Sequence, residues 1–137
     1  MFGWSAGVIP AIVDAIITVN RVMHNTLWVP GHFHFYLLLG EMAMVFGFMA
    51  WLTRGATREG LSGASYWGFV AYLVGGVGVA MMFLIGGTMS VPRRWAVHLP
   101  QWFIQDQMGA AFALISIVGA LVLLVRYLVR VAVTVRA

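Results

Sequence analysis

The chain has 137 residues, 62% hydrophobic and 9% charged, with a net charge of +4 in which every base is an arginine, and no cysteine. A soluble domain carries about a quarter charged residues, so this composition excludes an ordinary soluble enzyme and points to a membrane protein. The missing cysteines exclude disulfides, thiolate metal sites and haem attached through a C-x-x-C-H motif, and the lack of a basic soluble surface gives no case for nucleic-acid binding.

A helix needs about 20 apolar residues to cross a bilayer. The predicted fold is therefore all-α: one polytopic transmembrane helix bundle over residues 1–137, with about three full spans and a partial first span. The first apolar stretch runs from Met1 to Val19 and ends at Asn20-Arg21. It has no positively charged n-region and reads as the inside of a helix rather than a signal peptide. The second runs from His32 to Leu52, the third from Tyr66 to Met89 and the fourth from Gln107 to Val129. The third holds Gly75, Gly76, Gly78, Gly86 and Gly87, small residues that let helices approach closely in a bundle.

Three connections separate these stretches. Arg21 to Gly31 is polar and carries Pro30, Arg54 to Ser65 reads as a solvated loop, and Ser90 to Asp106 is rich in Pro, Arg and Trp. Tryptophans at a span end suit the interfacial belt. The first and third connections share one side and hold Arg21, Arg93 and Arg94. The opposite side holds Arg54, Arg58, Arg126, Arg130 and Arg136, which favours that side, with the C-terminus, as cytoplasmic.

His32-Phe33-His34 is the most informative triplet. Successive helix residues rotate by about 100°, so the two imidazoles point to opposite faces. They cannot chelate one metal as an i, i+4 pair could. If both are ligands, they serve two centres, one on each side of the helix; imidazole is a common axial ligand of haem iron. Interfacial histidines bonded to loop carbonyls are the other reading.

The segment His24-Asn25-Thr26-Leu27-Trp28-Val29-Pro30-Gly31-His32-Phe33-His34 resembles the connection into the tenth helix of subunit I of the haem-copper terminal oxidases. Its Trp-Val-Pro-Gly-His-Phe-His form is closest to the B-type, or ba-type, oxidases. Downstream, Val91-Pro92-Arg93-Arg94 resembles that family's arginine pair between its last two core helices, one span-loop-span away. The resemblance implies that His32 is the proximal ligand of a high-spin haem and His34 an axial ligand of a low-spin haem. It implies that Arg93 and Arg94 hold haem propionates and that His24 lies near those propionates. Phe33 would sit near the electron path or simply pack. Many B-type relatives carry a carboxylate four residues before the histidine matching His24, whereas this chain has Asn20.

The same resemblance implies a catalytic subunit of a respiratory cytochrome c oxidase in a prokaryotic plasma membrane. Its activity would be electron transfer to oxygen coupled to proton translocation. It also implies what lies outside the chain: three copper-ligating histidines, the second low-spin haem ligand, the remaining helices of subunit I, and a subunit II that accepts electrons from cytochrome c. The chain then reads as a truncated or split subunit I that does not reduce oxygen alone. Three other readings stay open: a nitric oxide reductase-like subunit, a small non-catalytic haem-binding membrane protein, and a plain structural transmembrane subunit with no cofactor.

Two acids fall inside apolar stretches, where an ionisable group is a functional candidate by default. Asp14 lies seven residues before Arg21, near one face of a single helix. Glu41 lies seven residues after His34, about 10 Å deeper on nearly the same face. Each reads either as a hydrogen-bonded group in the bundle or as part of a proton route. His98 fits no motif and reads as solvated or interfacial, and the methionines read as core filler.

Overall fold

The computed structural model describes residues 2–53, 63–97 and 99–136. The loop arginines Arg54 and Arg58, and His98, lie outside the described residues. In chain order the elements are α1 (Phe2–Ala15), α2 (Ile17–Met23), α3 (Trp28–His34), a π-helical segment (Phe35–Met42), α4 (Ala43–Leu52), α5 (Gly63–Thr88), a 3₁₀ turn (Pro100–Trp102) and α6 (Phe103–Arg136). Among the described residues, three helical runs are long and apolar enough to cross a membrane: Trp28–Leu52, Gly63–Thr88 and Pro100–Val135. The all-α bundle expected from the sequence is what the chain forms.

The first apolar stretch is not one helix. It breaks at Ile16, and α2 leaves α1 at 98°. The run Ile16-Ile17-Thr18-Val19 is β-branched throughout, with stiff χ1 angles that weaken a helix. Ile16 is extended (ψ 115°), and the Asn20 side-chain amide donates to the Asp14 carbonyl at 2.9 Å. The break corrects the expectation that Asp14 and Arg21 share a helix face, because they stand on two helices at nearly a right angle.

The second span starts four residues earlier than the apolar count suggests. Trp28 opens α3, and Pro30 is its third residue. The first N–H groups of a helix have no partner inside it, so proline costs nothing there. The Thr26 hydroxyl accepts from the Trp28 N–H at 3.2 Å and donates to the Met23 carbonyl at 2.8 Å, fixing the point where the helix begins.

The π-helical segment follows His34 directly. Its i→i+5 pattern puts more residues into each turn than an α-helix does. Glu41 therefore does not follow His34 around by nearly two whole turns, and it stands exposed on the described chain. The expectation that it lies on His34's face does not hold. The Tyr72 hydroxyl of α5 donates to the Leu38 carbonyl inside this segment. Hydrogen bonds between membrane helices average about 0.6 kcal/mol, so Tyr72→Phe is expected to destabilise the chain by about that amount in detergent unfolding followed by circular dichroism.

The core sits where α1, the π segment and α5 meet. Phe35, Leu39 and Ala80 are buried there, with Leu38, Leu73, Val77 and Leu84 packed around them. Helices α5 and α6 approach closely along small residues. A methyl group at Gly75 would stand 2.7 Å from the Phe112 carbonyl oxygen, so only glycine allows this crossing. The Ser116 hydroxyl donates to the Tyr72 carbonyl at 3.2 Å across the same interface.

The C-terminal end of α5 closes in a Schellman motif. Val91 N–H donates to the Gly86 carbonyl at 2.9 Å and Ser90 N–H to the Gly87 carbonyl at 3.0 Å. Ser90 is left-handed (φ 59°), a conformation that costs a non-glycine residue about 1 kcal/mol. Ser90→Gly is expected to raise stability by about 1 kcal/mol in the same unfolding measurement.

Candidate functional site

The site is built where the segment entering α3 meets the segment leaving α5. Residues 25–27 run antiparallel to residues 91–93. Leu27 N–H donates to the Val91 carbonyl and Arg93 N–H to the Asn25 carbonyl, both at 2.9 Å, with a bridge between Thr26 and Pro92. Val91 is fully buried under this pairing. The pairing ties the arginine pair to the start of the histidine helix although more than 50 residues separate them in sequence. Arg94 itself is left-handed (φ 64°), which turns the chain sharply straight after Arg93.

His32, Phe33, Arg93 and Arg94 line one pocket of about 450 Å³, together with Leu27, Val29 and Pro30. That volume falls in the range of small-molecule and cofactor sites. Its walls are apolar except for an imidazole and two guanidiniums, a donor set suited to a largely apolar group carrying carboxylates. Arg93 is half-buried and Arg94 is exposed. Guanidiniums bind carboxylates through paired, charge-assisted bonds. The His32 ring stands edge-on to Tyr36, with centroids 6.4 Å apart, and its Nδ1 is buried without a hydrogen-bond partner.

His34 has different neighbours. Its ring meets Phe83 of α5 edge-on at 4.9 Å, and its Nδ1 lies 2.5 Å from the Pro30 carbonyl oxygen. An imidazole that donates through Nδ1 presents Nε2 as the free lone pair, the arrangement seen in histidines that ligate metals. The two histidines thus serve separate surroundings, as the helical rotation requires.

His24 stands apart from both. It is the exposed residue capping α2, its N–H bonded to the Asn20 carbonyl at 2.8 Å, and it is not among the pocket's lining residues. Asp14 is half-buried, with one carboxylate oxygen buried and without a hydrogen-bond partner. Among the described residues, no three His, Asp or Glu side chains converge on a common point. Axial ligation of a haem asks for only one protein donor on each side of the iron.

Three contributors escaped the sequence reading. The Pro30 carbonyl orients His34, and the four-residue spacing of the two was a signal that could have found it. Tyr36 lies four residues after His32 and is legible in the same way. Phe83 belongs to another helix and left no local signal.

A family model for cytochrome c and quinol oxidase polypeptide I matches residues 1–122. A cytochrome c oxidase subunit 1 of Thermus thermophilus is 29% identical over 138 residues, covering 93% of this chain and 23% of that protein. A second Thermus thermophilus cytochrome c oxidase subunit 1 sequence is 32% identical over 96 residues, covering 70% of this chain and 83% of that sequence. A probable quinol oxidase subunit 1 of Staphylococcus aureus is 25% identical over 122 residues, with 87% of this chain and 18% of that protein covered. No solved structure matches the chain. The chain spans about a quarter of the length of the first of these relatives. With the family model covering all but its last turns, this membrane chain belongs to the cytochrome c and quinol oxidase polypeptide I family, the subunit I of haem-copper oxidases.

Proposed function

We propose that the chain holds the haems of a respiratory terminal oxidase, as part of its catalytic subunit. The observation that carries this reading is the pair of histidines on one helix with unlike surroundings, one of them in a pocket walled by two arginines. His32 would hold the high-spin haem: its ring lines the pocket, and its Nδ1 is buried without a hydrogen-bond partner. His34 would hold the low-spin haem, with its tautomer set by the Pro30 carbonyl. Arg93 and Arg94 take the propionates, and the turn at Arg94 sets their direction. His24 lies on the propionate side, outside the pocket wall.

When bound, the two haems supply electron relay and the iron at which oxygen is reduced. This chain's residues orient those groups, neutralise their carboxylates and keep bulk water from the apolar face of the pocket. The copper ion, its three histidines and the second low-spin ligand belong to the remaining helices of subunit I. Electrons enter from cytochrome c through subunit II, and oxygen reduction is coupled to proton translocation. The Trp28 to His34 form supports the B-type branch. The arginine count supports a cytoplasmic C-terminus in a prokaryotic plasma membrane.

The test is a haem count on the chain purified with the subunits that accompany it. Two haems per chain, one high-spin and one low-spin in the reduced spectrum, are expected. A preparation of intact complex with no haem would overturn the proposal.

A further inference from the structure

A second polar site lies at the opposite end of the bundle, where α4 ends, α5 begins and α6 passes both. It is a pocket of about 30 Å³ whose polar lining consists of Thr53, Ser65, Arg126, Tyr127 and Arg130. Arg130 is only 8% exposed, and its Nη2 is buried without a hydrogen-bond partner. A guanidinium left in that state is costly, since a buried charge is stable only when paired. Arg126 lies one helical turn earlier on the same face of α6 and lines the same pocket.

Depth identifies the class of partner. Trp102 and Phe103 mark the start of α6, and Arg126 and Arg130 follow Phe103 by 23 and 27 residues. At 1.5 Å per residue they stand about 35 and 40 Å further along. A bilayer's hydrocarbon is about 30 Å thick and the whole bilayer about 40–45 Å, so both arginines fall at headgroup level. Trp51 and Trp67, both more than 60% exposed, stand at the same end of α4 and α5 as Thr53 and Ser65, where an interfacial aromatic belt belongs. The pocket has room for about one water-sized atom group. One oxygen of a tetrahedral oxyanion fills it while the rest of the group remains outside.

We propose that Arg130, with Arg126, seats a phosphate oxyanion at the end of α4, α5 and α6, and that the headgroup of an anionic phospholipid supplies it. The guanidinium fork matches phosphate geometry, and basic pockets between helices on the cytoplasmic side suit such headgroups. This site is independent of the histidines and of the haem reading.

The experiment is native mass spectrometry of the chain purified with its accompanying subunits. Dioleoyl phosphatidylglycerol, dioleoyl phosphatidylcholine or inorganic phosphate is added in separate arms. Phosphatidylglycerol is expected to remain bound at collision energies that strip phosphatidylcholine, and Arg130→Gln is expected to weaken its retention about tenfold. Arg21→Gln, at the other end of the bundle, is the control and is expected to change nothing. Retention of inorganic phosphate without phosphatidylglycerol would support the oxyanion seat and overturn the lipid as its source. Equal retention of both lipids, with no phosphate bound, would overturn the proposal. That comparison needs only the unaltered chain, so it stands even if Arg130→Gln misfolds. Arg130→Lys keeps the charge without the fork and is expected to fall between the two.

Discussion

His34→Ala is expected to abolish the low-spin haem bands of the reduced spectrum and leave the high-spin haem in place. His32→Ala is expected to do the reverse, removing carbon monoxide binding and keeping the low-spin bands. The asymmetry follows from geometry. His34 is oriented by the Pro30 carbonyl and packed against Phe83, whereas His32 lines the pocket shared with Arg93 and Arg94. Loss of an axial imidazole removes the bond to iron outright, so the expected change is all-or-none for one centre. Losing a group that only orients a ligand costs about 10–100-fold in affinity. A His34→Gly variant should recover its low-spin bands on addition of free imidazole. If each substitution instead lowered both haems equally, the histidines would be holding the fold rather than two separate irons.

Gly87→Leu is expected to destabilise the chain by about 3 kcal/mol, at the upper end of the usual cost of overpacking. Even a methyl group at Gly87 would stand 2.6 Å from the Trp28 Cα, which is backbone and cannot swing away. The substitution has to push α3 off α5 and carry His34 away from Phe83. Lowered thermal stability with loss of low-spin haem should therefore appear together. Gly47 is the contrast, since a methyl group there would have no neighbour within 4 Å. Gly47→Ala should be neutral or stabilise by up to about 1 kcal/mol, through helix propensity alone. Equal effects at the two positions would show that the α3–α5 crossing does not depend on backbone proximity at Gly87.

Much of this molecule is legible in its sequence. Long apolar runs with few charges can only be buried or placed in lipid, and in lipid the backbone must bond to itself, so spans and helical class followed from composition. The divergence of His32 and His34 followed from the 100° step of a helix. The glycines of α5 announced close packing. Other features were written in weaker signals. The break at Ile16 comes from a β-branched run plus one side-chain bond from Asn20 to Asp14. Apolar counting is blind to both, because the residues remain hydrophobic. The π segment after His34 and the exposure of Glu41 depend on winding, which spacing arguments assume to be uniform.

The sequence by itself determined the membrane class, the number of spans, the family motifs and the divergence of His32 and His34 on one helix. These depend on short-range quantities: hydrophobicity, helical rotation and residue identity at fixed spacing. Only the tertiary structure decided that Arg93 and Arg94 share a pocket with His32, and that His24 stands outside it. It alone left Arg130 buried beside Arg126 at the far end of the bundle. Those outcomes depend on backbone pairing between segments more than 50 residues apart and on how helices cross, which no local pattern encodes.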